Sequence, residues 1–340
     1  MTIALYVGGT SAERDVSIIS GKYIGEALEQ LGNSVLYVDP ALPPEEIGSA
    51  LQEKSTIEET PPETNPKETG NHFNIFRLLL DARIAACDFH FIGLHGGIGE
   101  NGLLQGMFEH LGYRFNGPGY SASAVAMNKH LSKQMMVSQD IPTPEWLYIE
   151  QSDWQASQQQ VRAYIEEKFT PPVVIKPNSQ GSTIGLTILS ELDGLRQALE
   201  KAFTYDRQVI VEQYIPGSEM TAAVLGEEAL PLIRIKPKSG LYDYTSKYSE
   251  GRTEYEVPAK VGDEVTTRMQ QYALRFFHSL GATGYSRVDF RLTDADEPFC
   301  LELNTLPGMT ATSLVPKAAR AAGLSFEKLL EKIIELGRNT

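Results

Sequence analysis

Apolar residues in the first third of this chain alternate between short unbroken runs and stretches of helical period. Residues 3–7 (Ile-Ala-Leu-Tyr-Val) form a run of strand length that ends in the turn Gly8-Gly9-Thr10-Ser11. Val16, Ile19, Tyr23, Ala27 and Leu31 then recur at helical spacing until Gly32 stops the pattern. Residues 34–38 predict a second strand, residues 74–80 a further helix, and residues 89–94 a buried strand. Such alternation predicts a parallel sheet covered by helices over residues 1–117. Residues 53–72 interrupt it with Glu, Thr, Pro, Lys and Asn and almost nothing apolar, as a surface insertion would.

Gly117-Pro118-Gly119 marks a boundary. A smaller α/β unit is expected over residues 118–211, with a strand at 173–176 and a Gly-rich turn at 181–185. A larger unit is expected over 212–340. It carries a tyrosine-rich polar loop at 239–252, strands at 286–290 and 299–304, and a closing amphipathic helix. That helix presents Leu324, Phe326, Leu329, Leu330, Ile333, Ile334 and Leu336. There are no internal repeats.

Composition narrows the function. A chain of 340 residues, 41% hydrophobic, predicts two or three domains around a shared cleft. No apolar run approaches the roughly 18 residues of a membrane span, and the first strand starts without a basic leader, so a cytoplasmic protein with no membrane partner is expected. Cys87 and Cys300 sit beside apolar segments without metal-type spacing and are expected to be buried thiols. A net charge of −14 argues against a nucleic-acid partner and requires any anion site to gather its own lysines and arginines.

The candidate chemistry centres on the two late strands. Arg287 and Asp289 share one strand face, as do Glu302 and Asn304. Paired strands would set Asp289 and Glu302 roughly 5 Å apart, a repulsion of about 3 kcal/mol at an effective dielectric near 20. A divalent cation relieves it, and two acids with an amide suit Mg²⁺ completed by substrate phosphates. A salt bridge from Arg287 to one acid is the structural alternative.

Other segments supply groups of matching chemistry. Lys176 ends an apolar strand before Gln180-Gly181-Ser182-Thr183-Ile184-Gly185, which can aim an ammonium and backbone N–H groups at phosphates. No Gly-x4-Gly-Lys-Ser/Thr occurs, which excludes a P-loop. The strand Val209-Ile210-Val211-Glu212-Gln213-Tyr214-Ile215 leads to Pro216-Gly217-Ser218-Glu219, where backbone can meet an adenine edge and a carboxylate a ribose. Residues 242–248 (Tyr-Asp-Tyr-Thr-Ser-Lys-Tyr) suit a loop that closes over a site. Glu13 stands at the C-terminal edge of the first sheet. The segment from His95 to Gly102 contains a formal Gly-x-Gly-x-x-Gly, but it is not the first strand–helix turn and lacks the later acid, so a pocket-shaping loop with His95 pointing inward is expected instead. Gly308 and Ser313 lie where a backbone N–H and a helix start can bind anionic oxygens.

Taken together, GGTSAERDVS, HGGIGENG, MNK, KPNSQGSTIG, VEQYIPGSEMT, YDYTSKY, SRVDF and LELNTLPGMTATSLVP resemble, in order and over essentially the whole chain, the D-alanine–D-alanine ligases of the ATP-grasp superfamily. The resemblance implies an α/β, three-domain ATP-grasp fold: an N-terminal parallel-sheet domain, with central and C-terminal α+β domains gripping ATP. It implies Lys129 and Lys176 on the α- and β-phosphates, and Lys247 on the γ-phosphate. Glu212, Gln213, Tyr214 and Ile215 would meet the adenine and Glu219 the ribose. Asp289, Glu302 and Asn304 would hold two Mg²⁺ ions, with Mn²⁺ as a substitute. Glu13, Ser182 and Tyr248 would form a hydrogen-bonded triad. Glu13 and His95 would orient the first D-alanine, and Ser313 and Leu314 the carboxylate of the second. Arg287 and the Gly308 N–H would stabilise the tetrahedral oxyanion. A homodimer is implied by the resemblance alone. Asn128 replaces the usual Asp, Gln213 a common Lys, and the 53–72 insertion has no counterpart in the shortest members. Depsipeptide-forming relatives lack a tyrosine at position 248, so Tyr248 favours an amine nucleophile.

Overall fold

A computed structural model describes residues 1–48, 73–238, 251–310 and 313–339. The chain opens with β1 (Thr2–Tyr6), α1 (Arg14–Gln30), β2 (Ser34–Val38), α2 (Phe73–Leu79), α3 (Ala82–Ala85), β3 (Phe89–Ile92), α4 (Gly97–Glu100) and α5 (Leu103–Leu111). Its strands make a parallel sheet in the order β2-β1-β3. All four residues of β3 are buried, as expected of a parallel strand covered on both faces.

Helix α1 forms where its period predicts, but a different face turns inward. Val16, Ser17, Ile18, Ser20, Gly21, Ile24, Ala27 and Leu28 are buried, whereas Tyr23 is exposed and Ile19 only partly covered. The cause is close approach. A Cβ on Gly21 would collide with Val7, and one on Gly25 with Tyr37. Ser17 donates to Gly93 O at 2.7 Å and accepts from Gly8 N–H at 2.9 Å, so small polar residues occupy the inner stripe at no cost in unpaired groups.

Next come α6 (Tyr120–Met127), α7 (Lys129–Ser138), β4 (Trp146–Glu150), α8 (Gln151–Ala156), α9 (Gln158–Lys168), β5 (Val173–Pro177), β6 (Thr187–Leu189), α10 (Leu195–Phe203) and β7 (Gln208–Gln213). A four-stranded antiparallel sheet, β4-β7-β5-β6, has its own core of Ile165, Val173, Ile175, Leu199, Val209 and Val211. The remainder is β8 (Ser218–Leu225), β9 (Glu228–Ala229), β10 (Ile233–Pro237), β11 (Thr253–Glu256), α11 (Asp263–Ser279), β12 (Tyr285–Leu292), β13 (Pro298–Asn304), α12 (Leu314–Ala321) and α13 (Phe326–Arg338). Its sheet runs β11-β10-β8-β12-β13, with β9 beside β8.

Packing joins segments far apart in sequence. Ala122, Ala126 and Met136 of α6 and α7 share a core with Val288, Phe290 and Leu303 of the third sheet. Leu329, Leu330, Ile333 and Ile334 of α13 belong to the core built on β1 and β3. Cys300 is buried as expected, but Cys87 is only half-buried, at the turn into β3, and both are free thiols. Among the described residues no helix is long and apolar enough to cross a membrane.

One buried titratable group lies in the first core. His90 on β3 accepts or donates at Nδ1 to the Tyr6 hydroxyl (3.0 Å) and stacks on Tyr113 at 4.1 Å. Its Nε2 is buried without a hydrogen-bond partner among the described residues. Burial pushes its pKa down to about 4. The unfolded imidazole takes up a proton below about 6.5 and the folded one does not, so stability is lost as pH falls from about 6.5 to about 4, by up to roughly 3 kcal/mol. With the intrinsic pH dependence of exchange divided out, protection of the β1 and β3 amides is expected to fall further over that window in the native chain than in His90→Gln; an identical pH dependence of protection in both would refute it.

Candidate active site

Three elements bring the charged residues together. β5 ends in Lys176, β12 and β13 carry the acids, and α7 starts at Lys129. Lys129, Lys176, Glu219, Asp289 and Glu302 line one cleft between the second and third sheets, with Met220 and Leu301 among its apolar walls.

β12 and β13 pair antiparallel with Asp289 opposite Glu302 and Arg287 opposite Asn304. The register then shifts, so that Phe290 faces Cys300, with Leu301 as the extra residue of a bulge. Such a bulge lets consecutive residues turn to one side, and both Leu301 and Glu302 line the cleft. On β12, Val288, Phe290 and Leu292 fill the core below, leaving Arg287 and Asp289 on the opposite, partly covered face.

Asp289 is held by four donors. Thr221 Oγ1 donates to Oδ1 at 2.7 Å, Arg287 forks onto it (Nε to Oδ1 2.9 Å, Nη2 to Oδ2 2.8 Å), and Asn304 Nδ2 donates to Oδ2 at 3.0 Å. The arginine bridge weighed as the structural alternative is therefore present. Four donors occupy the lone-pair sites of a carboxylate, so a cation at Asp289 would displace at least one of them. Among the described residues no group of three or more His, Cys, Asp or Glu side chains gathers as a metal cage. The donor set nevertheless fits Mg²⁺: two carboxylates on paired strands, and an amide whose nitrogen is spent on Asp289, leaving its oxygen. Mg²⁺ sites commonly use one or two protein carboxylates and draw their other ligands from phosphates and water.

The lysines are buried and paired. Lys129 Nζ donates to Gln180 O at 2.6 Å and lies 3.4 Å from Glu302 Oε2. Burial lowers its pKa, and Lys176 adds to that against the pull of Glu302 and Glu212. Lys176 Nζ meets Glu212 Oε1 at 2.6 Å, and Lys133 Nζ meets Glu212 Oε2 at 2.9 Å. Burial acts to raise the Glu212 pKa, but the two ammoniums outweigh it and hold the carboxyl low. The Glu212 side chain is thus spent on lysines, while Tyr214 and Ile215 form the crossing to β8 that Arg291 fastens, through Ile215 O at 3.0 Å and Gly217 O at 2.7 Å. Gln213 is exposed, and its N–H donates to Glu145 O at 3.0 Å.

A second group sits at the C-terminal edge of the first sheet. Glu13, buried just ahead of α1, accepts a short hydrogen bond from Ser182 Oγ of the β5–β6 turn, so the first unit touches the second there. Ser182 and Thr183 both adopt positive φ (49° and 65°), a backbone form uncommon for their type that aims this turn. Gly96 has φ 64°, and a Cβ there would stand 2.8 Å from Glu13 Oε2, so glycine is required at that turn. His95 points inward. Ser20 Oγ lies 3.2 Å from its Nε2, and Glu100 Oε1 is 3.6 Å from its Nδ1. Burial acts to lower the His95 pKa, but the Glu100 carboxylate, helped by Glu13 and the Leu306 backbone, raises it.

Ser313 directly precedes α12, but its hydroxyl accepts from Thr310 N–H at 3.0 Å and does not cap the helix, leaving first-turn N–H groups for another acceptor. A Cβ on Gly308 would lie 2.9 Å from Ser313 Oγ, which brings that loop onto the helix start. Leu314 is buried in the first core. Lys247 and Tyr248, with nearly all of the 239–252 loop and the 53–72 insertion, lie outside the described residues.

Several site side chains escaped sequence reasoning. Lys133 follows Lys129 by four residues on one helical face, and Thr221 follows Glu219 by two on one strand face, so spacing could have found both. Ser20 and Arg291 carry no comparable signal.

Two family models match the chain: "D-ala D-ala ligase N-terminus" over residues 2–118 and "D-ala D-ala ligase C-terminus" over residues 135–335. A D-alanine–D-alanine ligase of Synechococcus sp. (strain JA-3-3Ab) is 39% identical over 337 residues, covering 98% of this chain and 93% of the relative. The crystal structure of the Bacillus anthracis D-alanine–D-alanine ligase complexed with ATP has a TM-score of 0.77 at 30% identity, covering 100% of this chain and 97% of that one. The VanG D-Ala:D-Ser ligase of Enterococcus faecalis has a TM-score of 0.77 at 28% identity, with 99% of each chain covered.

Proposed function

The chain belongs to the D-alanine–D-alanine ligase family of the ATP-grasp superfamily, and from that premise we infer how its cleft performs an ATP-dependent ligation of two D-alanines for peptidoglycan precursor synthesis. The observation that carries this reading is the facing of Lys129 and Lys176 toward Asp289 and Glu302 across one cleft. Buried ammoniums opposite paired carboxylates suit a polyanion that arrives with its own divalent cations.

In this reading Lys129 and Lys176 neutralise the α- and β-phosphates, and Lys247 the γ-phosphate. The backbone from Glu212 to Ile215 meets the adenine, and Glu219 the ribose. Asp289, Glu302 and Asn304 hold two Mg²⁺ ions, which when bound neutralise phosphate charge. Glu13 and His95 orient the first D-alanine, with its ammonium toward the Glu13 carboxylate and its carboxylate toward the γ-phosphorus. One carboxylate oxygen attacks that phosphorus in line, ADP leaves, and an acyl phosphate forms. The second D-alanine docks its carboxylate at Ser313 and the start of α12, and its amine attacks the acyl carbon. Arg287 and the Gly308 N–H receive the negative oxygen of the tetrahedral intermediate, after which phosphate departs. The protein's contribution is positioning and charge neutralisation, with Glu13–Ser182 keeping the first-substrate pocket against the nucleotide turn. A central grip on ATP by the second and third sheets and a homodimeric assembly complete the reading.

Phosphate release tests it. With ATP, Mg²⁺ and D-alanine alone the protein is expected to release phosphate and form the dipeptide. Turnover only when D-serine or D-lactate accompanies D-alanine would replace this reading with a ligase of another second substrate.

A further inference from the structure

We propose that Lys133 is a positioning residue for nucleotide binding: by sharing the Glu212 carboxylate, it leaves Lys176 with charge to spend on a phosphate. The proposal rests on the functional reading above and extends it to a side chain outside the substrate-contacting set.

Lys133 is fully buried, one helical turn after Lys129 on α7. Its Nζ donates to Thr143 Oγ1 (2.8 Å) and Pro144 O (3.0 Å) and meets Glu212 Oε2 at 2.9 Å, with the Trp146 ring centroid 5.4 Å away. Thr143 Oγ1 and Pro144 O accept two of its N–H groups, and the Glu212 carboxylate beside it is an ion-pair partner that favours the ammonium form. Glu212 is nearly as buried, and its other oxygen meets Lys176 at 2.6 Å. Two ammoniums and one carboxylate leave one net positive charge inside a protein whose overall charge is −14. A lone Glu212–Lys176 pair would be neutral, and an arriving phosphate would compete with a full carboxylate for the lysine. Since the charges sit out of bulk water, screening by salt does little to soften that competition.

Lys133 also spans the crossing between sheets. α7 packs with the third sheet, whereas Thr143 and Pro144 lead into β4 of the second. Pro142 O accepts from Cys300 N–H of β13 at 2.7 Å, which fixes the crossing on its other side. The charge role and this tethering role are separable by mutation.

The test is titration calorimetry of ATP with Mg²⁺ into the full chain, without D-alanine. Lys133→Met is expected to weaken ATP binding by about tenfold. Lys133→Met combined with Glu212→Gln is expected to recover binding to within about threefold of native, because Lys176 regains its unopposed charge. Thr143→Val removes one neutral partner of the ammonium and is expected to stay within about twofold. Native affinity in Lys133→Met, additive losses in the double variant, or an equal loss in Thr143→Val would each overturn the proposal. Failure of the native protein to bind ATP would overturn the functional reading and this proposal with it. A thermal melt of each variant separates a binding loss from unfolding.

Discussion

Asp289→Asn is expected to reduce ATP-dependent ligation by about 10³-fold, the several kcal/mol that charge stabilisation at a phosphoryl group supplies. The substitution keeps the size of the side chain and both oxygen-facing donors of Oδ1, Thr221 Oγ1 and Arg287 Nε. Asn304 can turn its amide over to accept from the new side chain, while Arg287 Nη2 loses its acceptor at Oδ2. What disappears is one negative charge in a cleft that also holds Lys129, Lys176 and Glu302. The Mg²⁺ concentration needed for half-maximal activity should rise, and added Mg²⁺ should restore part of the rate. Phosphate release across a Mg²⁺ series measures both. An unaltered rate with an unaltered Mg²⁺ requirement would remove Asp289 from the metal set and leave it as the partner of Arg287.

Arg287→Met is expected to act differently, lowering kcat by about 10²–10³-fold while the KM for ATP changes little, as when one oxyanion donor is deleted. Two of the five guanidinium N–H groups are held by Asp289, and that fork sets how the arginine approaches an oxyanion. In the proposed reading a divalent cation at Asp289 would share those carboxylate oxygens with the guanidinium. Deleting the arginine leaves Asp289 with Thr221 and Asn304 as partners, and Mg²⁺ affinity is expected to be equal or tighter. Steady-state kinetics with ATP and D-alanine varied separately would show the split. A loss confined to KM for ATP would assign Arg287 to nucleotide binding and withdraw it from the second step.

Much of the site was legible because it uses strands. A period of two puts Asp289 and Glu302 on predictable faces, and the apolar residues between them identify the buried side. The bulge at Leu301 was not legible, since one extra residue in a strand changes no composition or period that a single sequence displays. The inner stripe of α1 was misread for a related reason. Hydrophobicity picks out Ile19 and Tyr23, but Gly21 lies inside because the helix packs too close to Val7 for a side chain, and Ser17 and Ser20 because they hydrogen-bond there to Gly93 O and His95. Lys133 carries a helical-spacing signal from Lys129, but its meaning comes from Glu212, which reaches it only in the folded chain.

What the chain's linear order determined was the set of elements, the chemistry of the acids and lysines, and the family to which they belong. Each depends on local periodicity or on residues a few positions apart. Tertiary structure alone decided which charges share an acceptor. It set Glu212 between Lys133 and Lys176, turned Arg287 onto Asp289, and joined Glu13 to Ser182 across two units. Electrostatic interactions act through space and grow as water is excluded, so the partner of each buried charge follows from packing and not from spacing along the chain.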